Sequence, residues 1–292
     1  MNFTTMKTRV AFLTALLFAG ALQGQDGKTY SYSTGTAEAG KQSANEIEDI
    51  GEINDAQGQS KWRVNASGRA QYTSNAILSG NHGSDDFLFL PTVEVGYHTP
   101  LGKHFSFDLS AKIESAIFGD HSDRSFVGYS ALATLDYTFK PGLPRLYVTV
   151  EPYRYDAFDS GELATSAVGF IGGVDWGRGF NAGRSVVFAG YSFAGYIADP
   201  SVDSRTAHRA VLGLAHQIRS NLTAQAYYAY QYSDYTDFGR NDHRNVLSGN
   251  LIYQFAEHFF GTLNTSWVNN DSTQNHASYQ GFGAGLGLTL QY

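Results

Sequence analysis

The sequence predicts an all-β fold: an antiparallel up-and-down β-barrel of about twelve strands that crosses a membrane. Three observations predict it. From Lys61 onward apolar and polar residues alternate at period two, which puts the apolar side chains on one face of a strand. Short turns alternate along the chain with longer loops rich in Asp, Asn, Ser and Gly. Aromatic residues gather at the strand ends, near both kinds of connection. The chain has no run of about 18 consecutive apolar residues, so a helical span is excluded and a membrane crossing requires a closed barrel.

The elements follow in order. MNFTTMKTR carries Lys7 and Arg9, the apolar run VAFLTALLFAGAL follows, and Ala19-Gly20-Ala21 supplies small residues for cleavage. This layout predicts a secretory signal peptide over residues 1–21. Residues 22–60 are polar without a sustained period, and predict a flexible periplasmic arm with a short helix around Ser43 to Ile53. Residues 61–292 form the barrel. Twelve strands are predicted, over 61–75, 87–98, 104–117, 126–139, 144–156, 163–177, 184–197, 207–219, 222–234, 244–256, 258–270 and 278–292.

The alternation is cleanest where Phe105, Phe107, Leu109, Ala111 and Ile113 oppose Ser106, Asp108, Ser110, Lys112 and Glu114. Tyr129, Ala131, Ala133, Leu135 and Tyr137 oppose Ser130, Thr134, Asp136 and Thr138, and Ala224, Ala226, Tyr228 and Tyr230 oppose Thr223, Gln225 and Gln231. The strands at FIGGVDWG and VVFAGYSFAG are ambiguous in register, which leaves ten or fourteen strands open. TPLGK, KPGLP, RSN and AEH read as tight turns at one rim, with RGFNAGRS a middling turn on the same side; ILSGNHGSDD, GDHSDRS, DAFDSGE, ADPSVDSRTA, DYTDFGRNDH and NNDSTQNHAS read as loops at the other. Trp62, Tyr97, Tyr137, Phe139, Trp176, Phe255, Phe259 and Tyr292 make one aromatic girdle, and Tyr72, Phe87, Tyr232, Tyr235 and Trp267 the second. The competing architecture is a soluble sandwich or lipocalin-like barrel, whose outward face would carry more Lys and Glu.

The last strand, FGAGLGLTLQY, backs a large apolar face with Gly283, Gly285 and Gly287. Glycine inside a strand weakens it, so that face must be bare for a reason. Either the glycines leave room for the long side chains of the first strand (Arg63, Arg69, Gln71) or for the N-terminal arm at the closure seam, or they let the strand bend there.

Composition narrows the chemistry. The absence of cysteine excludes disulfides, thiolate metal sites and a cysteine nucleophile. The net charge of −7 disfavours nucleic-acid binding. The nine histidines show no metal spacing, and no metal or cofactor is expected. For a serine hydrolase the nearest pairing is His208 or His216 with Ser248, without a supporting motif, so no enzymatic activity is predicted. The loops are acidic, as at Asp85, Asp86, Asp120, Asp123 and DYTDFGRND, which reads as charge that keeps loops solvated or attracts cations.

The ending, with Tyr292 preceded by Leu290 and Leu288, resembles the C-terminal signal of outer-membrane barrels that the barrel assembly machinery reads; phenylalanine is the usual last residue there. YTSNAILS at 72–79, SDDFLFLPTVEVGY at 84–97, YQYSDYTDFGRNDHRN at 230–245 and WVNNDS at 267–272 resemble segments of the β-barrel porin-type outer-membrane families. The resemblance implies a barrel in the bacterial outer membrane and brings no active-site residues with it.

Charges facing lipid cost roughly 2–4 kcal/mol each near the midplane, so the alternation sends Arg63, Arg69, Glu94, Asp108, Lys112, Glu114, Asp136, Glu151, Asp175, Arg209 and Arg244 to the interior as pore-lining candidates. Such a set can line a hydrated pore or cross-link into a plug. The leading expectation is a porin-like passive channel for small hydrophilic solutes. The alternative is a closed barrel serving as a structural, assembly or surface-polysaccharide export component. Outer-membrane lipid, lipopolysaccharide and the assembly machinery are the expected partners.

Overall fold

The computed structural model describes residues 61–76, 78, 84–139, 143–158, 160–161, 163–181, 184–236 and 239–292. The predicted signal peptide and arm lie outside the described residues. The rest is a closed antiparallel barrel of twelve strands, each paired with its chain neighbours and the last with the first. The strands are β1 (Lys61–Thr73), β2 (Asp86–Leu101), β3 (Phe105–Phe118), β4 (Phe126–Thr138), β5 (Arg145–Ala157), β6 (Leu163–Phe180), β7 (Ser185–Asp199), β8 (Arg205–Arg219), β9 (Leu222–Tyr235), β10 (Arg240–Ala256), β11 (Phe259–Ser272) and β12 (Tyr279–Gln291).

Closure runs from Asn65↔Gln291 to Thr73↔Gly283, and Val64 and Tyr292 exchange backbone hydrogen bonds of 2.6 and 2.9 Å at the rim where both ends meet. Every strand thus has two partners, which removes the unpaired backbone edges that hydrocarbon would penalise.

The glycine stripe sits in this seam. A Cβ on Gly285 would lie 2.7 Å from the Ala70 carbonyl oxygen and 2.9 Å from Asn264 Oδ1. One on Gly287 would lie 2.6 Å from Thr262 Oγ1 and 3.7 Å from the Arg69 stem. Of the two expectations, space for neighbours is what these positions display, and the neighbours come from β11 as well as β1.

The two strands of ambiguous register resolve cleanly. In β6 the odd residues Thr165, Ala167, Gly169, Ile171 and Asp175 are buried, and in β7 the even residues Phe188, Ser192, Ala194 and Tyr196. Several strands run further toward the loop rim than the sequence suggested: Asp199, Arg205, Tyr235, Arg240 and Asp242 belong to strands, and only residues 236–239 separate β9 from β10. Loop-like composition misleads here because a strand that rises above the lipid can be polar on its outer side as well as its inner one and needs no apolar face.

The outer surface carries the large apolar side chains. Trp62, Phe87, Ile197 and Leu286 are 73, 68, 69 and 65 % exposed. A soluble protein rarely shows a continuous apolar patch above a few hundred Å², whereas hydrocarbon solvates this belt at no cost. Aromatic pairs frame it. Trp62–Tyr97 (5.0 Å between ring centroids), Tyr137–Phe139 (4.7 Å) and Phe255–Phe259 (5.3 Å) lie near the short turns. Tyr72–Phe87 (5.5 Å) and Tyr232–His243 (5.2 Å) lie near the loops. Trp267 and Phe259 mark the two levels on β11; eight residues of tilted strand between them span about 20 Å, close to the apolar height of an outer-membrane barrel. Tyr235 corrects the expected girdle: it points inward, 4 % exposed, beneath two arginines.

The barrel interior as the candidate functional site

The inward faces are polar, and the strand parity explains each position. Of the eleven charged residues expected there, Arg69, Lys112, Glu114, Asp136, Glu151, Asp175, Arg209 and Arg244 are buried; Arg63, Glu94 and Asp108 are half-buried. All eleven occupy the inward parity of their strands.

Near the short-turn rim several of them form two groups of ion pairs along the wall. Arg63 reaches Glu94 on the adjacent β2 at 3.1 Å and Asp108 on β3 at 3.6 Å. His98 Nδ1 meets the same Asp108 at 2.9 Å. Further round, Arg145 Nη1 lies 3.1 Å from Asp136 on β4 and Nη2 lies 2.9 Å from Asp175 on β6, so one guanidinium serves two carboxylates. Higher on β3, Lys112 lies 3.4 Å from Glu114, which also accepts the Tyr155 hydroxyl at 2.8 Å.

A second group stands near the loop rim on the other side. Arg205 is buried, with its guanidinium 4.6 Å from the Tyr196 ring and 5.7 Å from Tyr235. Arg240 lies over Tyr235 at 4.4 Å and pairs with Asp242. Asp203, in the 3-10 turn Ser201–Asp203 that precedes β8, is fully buried. Burial pushes its carboxyl up to about 6, against the downward pull of Arg205 and Thr165.

The charges are divided by side. β1 to β6 carry Glu94, Asp108, Glu114, Asp136, Glu151 and Asp175 with fewer bases, Arg63, Arg69, Lys112 and Arg145, while β8 and β10 carry Arg205, Arg209, Arg240 and Arg244 with Asp242. In the strand order, β2 and β4 stand six places from β8 and β10, the furthest separation a ring of twelve allows. Twelve strands about 4.8 Å apart and tilted about 40° give a backbone diameter of about 24 Å if the section is round. Opposed side chains cannot bridge that span directly, so an acidic arc faces a basic one.

Sequence reasoning missed Arg145, Arg205, Arg240, Asp242 and His98. Arg145 and His98 share the inward parity of Glu151 and Glu94, so extending the count along their strands would have found them. Arg205, Arg240 and Asp242 fell in stretches read as loop. The inward tyrosines Tyr147, Tyr153 and Tyr155 share the parity of Glu151 on β5, and Tyr227 that of Gln225 on β9, so the same count reaches them; Tyr196 lies on β7, whose register the sequence left ambiguous. The hydrolase pairing does not assemble: Ser248 is buried inside, His208 lies outward against the Tyr191 hydroxyl (2.7 Å), and His216 bonds Ser185 (2.8 Å). Among the described residues no group of three or more His, Asp or Glu could hold a metal ion.

Comparison with known proteins agrees with this architecture. The model of the family described as Putative beta-barrel porin 2 matches residues 198–292, which hold β8 to β12. No curated protein matches the sequence. The barrel is similar to an outer membrane channel from Pseudomonas putida F1, with 11 % identity and a TM-score of 0.53 over 82 % of this chain and 97 % of that one. It is also similar to the translocator domain of the autotransporter NalP from Neisseria meningitidis, with 13 % identity and a TM-score of 0.48 over 91 % of this chain and 100 % of that one. At 11 % identity the likeness to the Pseudomonas channel speaks for the fold. The closed twelve-strand barrel, its apolar outer belt and the porin-type match at its C-terminal part make this chain a β-barrel of the bacterial outer membrane.

Proposed function

We propose that the barrel is a porin-like passive channel for small hydrophilic solutes, lined by Arg63, Arg69, Glu94, Asp108, Lys112, Glu114, Asp136, Glu151, Asp175, Arg209 and Arg244. The observation that carries this reading is the division of interior charge into an arc with an acidic excess on β1 to β6 and a basic arc on β8 and β10. Charges held on opposite walls set up a transverse field, which orients dipolar and charged solutes and slows apolar ones. In this reading residues 1–21 are removed on export, residues 22–60 form a periplasmic arm, and the Leu288–Leu290–Tyr292 ending is read by the barrel assembly machinery. Outer-membrane lipid contacts the belt, with lipopolysaccharide at the loop end.

A second reading has its own support. The interior charged residues are mostly under a tenth exposed, as Arg69 (6 %) and Glu151 (7 %) illustrate. That favours a closed barrel acting as a structural, assembly or export component. Conductance of the purified exported chain in planar bilayers separates the two. The channel gives discrete steps that fall when Lys112, Arg209 or Glu114 is neutralised. A silent bilayer, with folded barrel shown by heat-modifiable gel mobility, refutes the channel.

A further inference from the structure

At the loop end of the barrel, two connections bring together three side chains in series. Ser84 closes the β1–β2 connection, Asp86 opens β2, and His121 lies between β3 and β4. Ser84 Oγ is 3.0 Å from His121 Nε2, and His121 Nδ1 is 3.0 Å from Asp86 Oδ2. The Asp86 carboxylate is 1 % exposed and accepts the backbone N–H groups of Phe87 (2.7 Å), Asp120 (3.0 Å) and His121 (3.0 Å). These donors fix its orientation. A carboxylate can only accept, so Nδ1 carries the imidazole proton and Nε2 presents its lone pair to the Ser84 hydroxyl. The serine is half-buried, and the His121 side chain keeps 24 % of its surface.

We propose that Ser84, His121 and Asp86 form a serine-hydrolase triad at the outer mouth of the barrel, acting on carboxylic esters. The roles follow from the geometry. Ser84 Oγ attacks the acyl carbon while His121 Nε2 takes the hydroxyl proton. The bond to the leaving alcohol breaks as His121 returns that proton to the alcohol oxygen. Water then attacks the acyl-serine with His121 again as base, releasing the carboxylic acid and restoring Ser84. One ester and one water give one acid and one alcohol, with no other reactant. Asp86 is a positioning residue that holds the tautomer. The ester has two possible sources, a soluble molecule outside the cell or an acyl lipid of the outer leaflet.

The inference does not depend on whether the lumen conducts. The test uses the full exported chain in detergent. A fluorophosphonate probe should form an adduct that mass spectrometry locates on Ser84. Hydrolysis of p-nitrophenyl butyrate, and fatty-acid release from phosphatidylethanolamine–phosphatidylglycerol vesicles, identify a soluble or a lipid source. Ser84→Ala should abolish labelling and lower turnover on the order of 10²-fold or more. Asp86→Asn should lower kcat by a similar factor with KM unchanged, a split that a merely structural residue would not produce. Heat-modifiable mobility confirms that each variant is folded. An unlabelled Ser84 in the wild-type chain, or equal turnover in Ser84→Ala, overturns the proposal, as does inactivity toward both esters.

Discussion

Arg145→Met offers the sharpest test of how the interior is held together. One guanidinium, 24 % exposed, pairs with two carboxylates whose side chains are 5 % (Asp136) and 1 % (Asp175) exposed. Methionine keeps the stem and removes the charge, leaving both carboxylates buried against each other's field. Breaking a buried pair from one side costs about 3–5 kcal/mol, because the remaining charge is left uncompensated. Arg145 is partly hydrated, so the lower end, about 3 kcal/mol, is expected. Urea unfolding in phospholipid vesicles, followed by tryptophan fluorescence, reads this as a fall in midpoint of about 1 M for a slope near 3 kcal/mol/M. Adding Asp136→Asn and Asp175→Asn to Arg145→Met should recover most of the loss, since the uncompensated charges are then gone. Arg145→Lys should fall between, because one ammonium cannot reproduce the two-armed geometry. A midpoint for Arg145→Met within about 0.2 M of wild type, at an unchanged slope, would show that the ion pairs along the wall do not support the barrel.

Two further outcomes are expected. Leu286→Arg, placed on the lipid belt, should destabilise the barrel in vesicles by roughly 2–4 kcal/mol, whereas Leu290→Arg near the rim should cost at most about 1 kcal/mol; equal effects in the same urea assay would contradict the assigned depth. Asp203→Asn should stabilise the chain at pH 8. The folded carboxyl is raised to about 6 from an ordinary 3.8, so ionising it costs stability above the unfolded value, with the full cost reached above the folded one. The gain, about 2–3 kcal/mol at pH 8, should shrink as pH falls through 6 and vanish by about pH 4. A pH-independent gain would remove Asp203's charge as the cause.

Much of this molecule is legible in one dimension because a barrel strand repeats its environment every second residue. Phe105, Leu109 and Ile113 against Asp108, Lys112 and Glu114 disclose both faces, since lipid rejects charge and accepts bulk. Approximate strand ends and the inward placement of the eleven charged residues follow from that rule; turn lengths add the closure rim, and the count stays open between ten and fourteen until β6 and β7 are placed. The rule weakens in three places. It is weak where bulky side chains stand on both faces, as in β5, where only Arg145, Thr149 and Glu151 mark the inward face that Tyr147, Tyr153 and Tyr155 share. It fails above the lipid, where the outer face is polar as well as the inner one, so Arg205, Arg240 and Asp242 read as loop. It also fails through glycine runs such as those in β6, where no side chain reports a face.

Partnership is what only the tertiary structure decided. That Arg145 joins Asp136 to Asp175, that Arg205 lies between Tyr196 and Tyr235, and that acidic and basic arcs face each other all depend on which strands become neighbours and at what register. Ser84, Asp86 and His121 are separated by up to 37 residues, and the composition of their loops resembles ordinary turn chemistry. Period two determines which face a side chain takes, because that is a local property of an extended backbone. Which residues meet across strands is set by closure, where inter-strand hydrogen bonds lock twelve registers together, and no single segment carries that information.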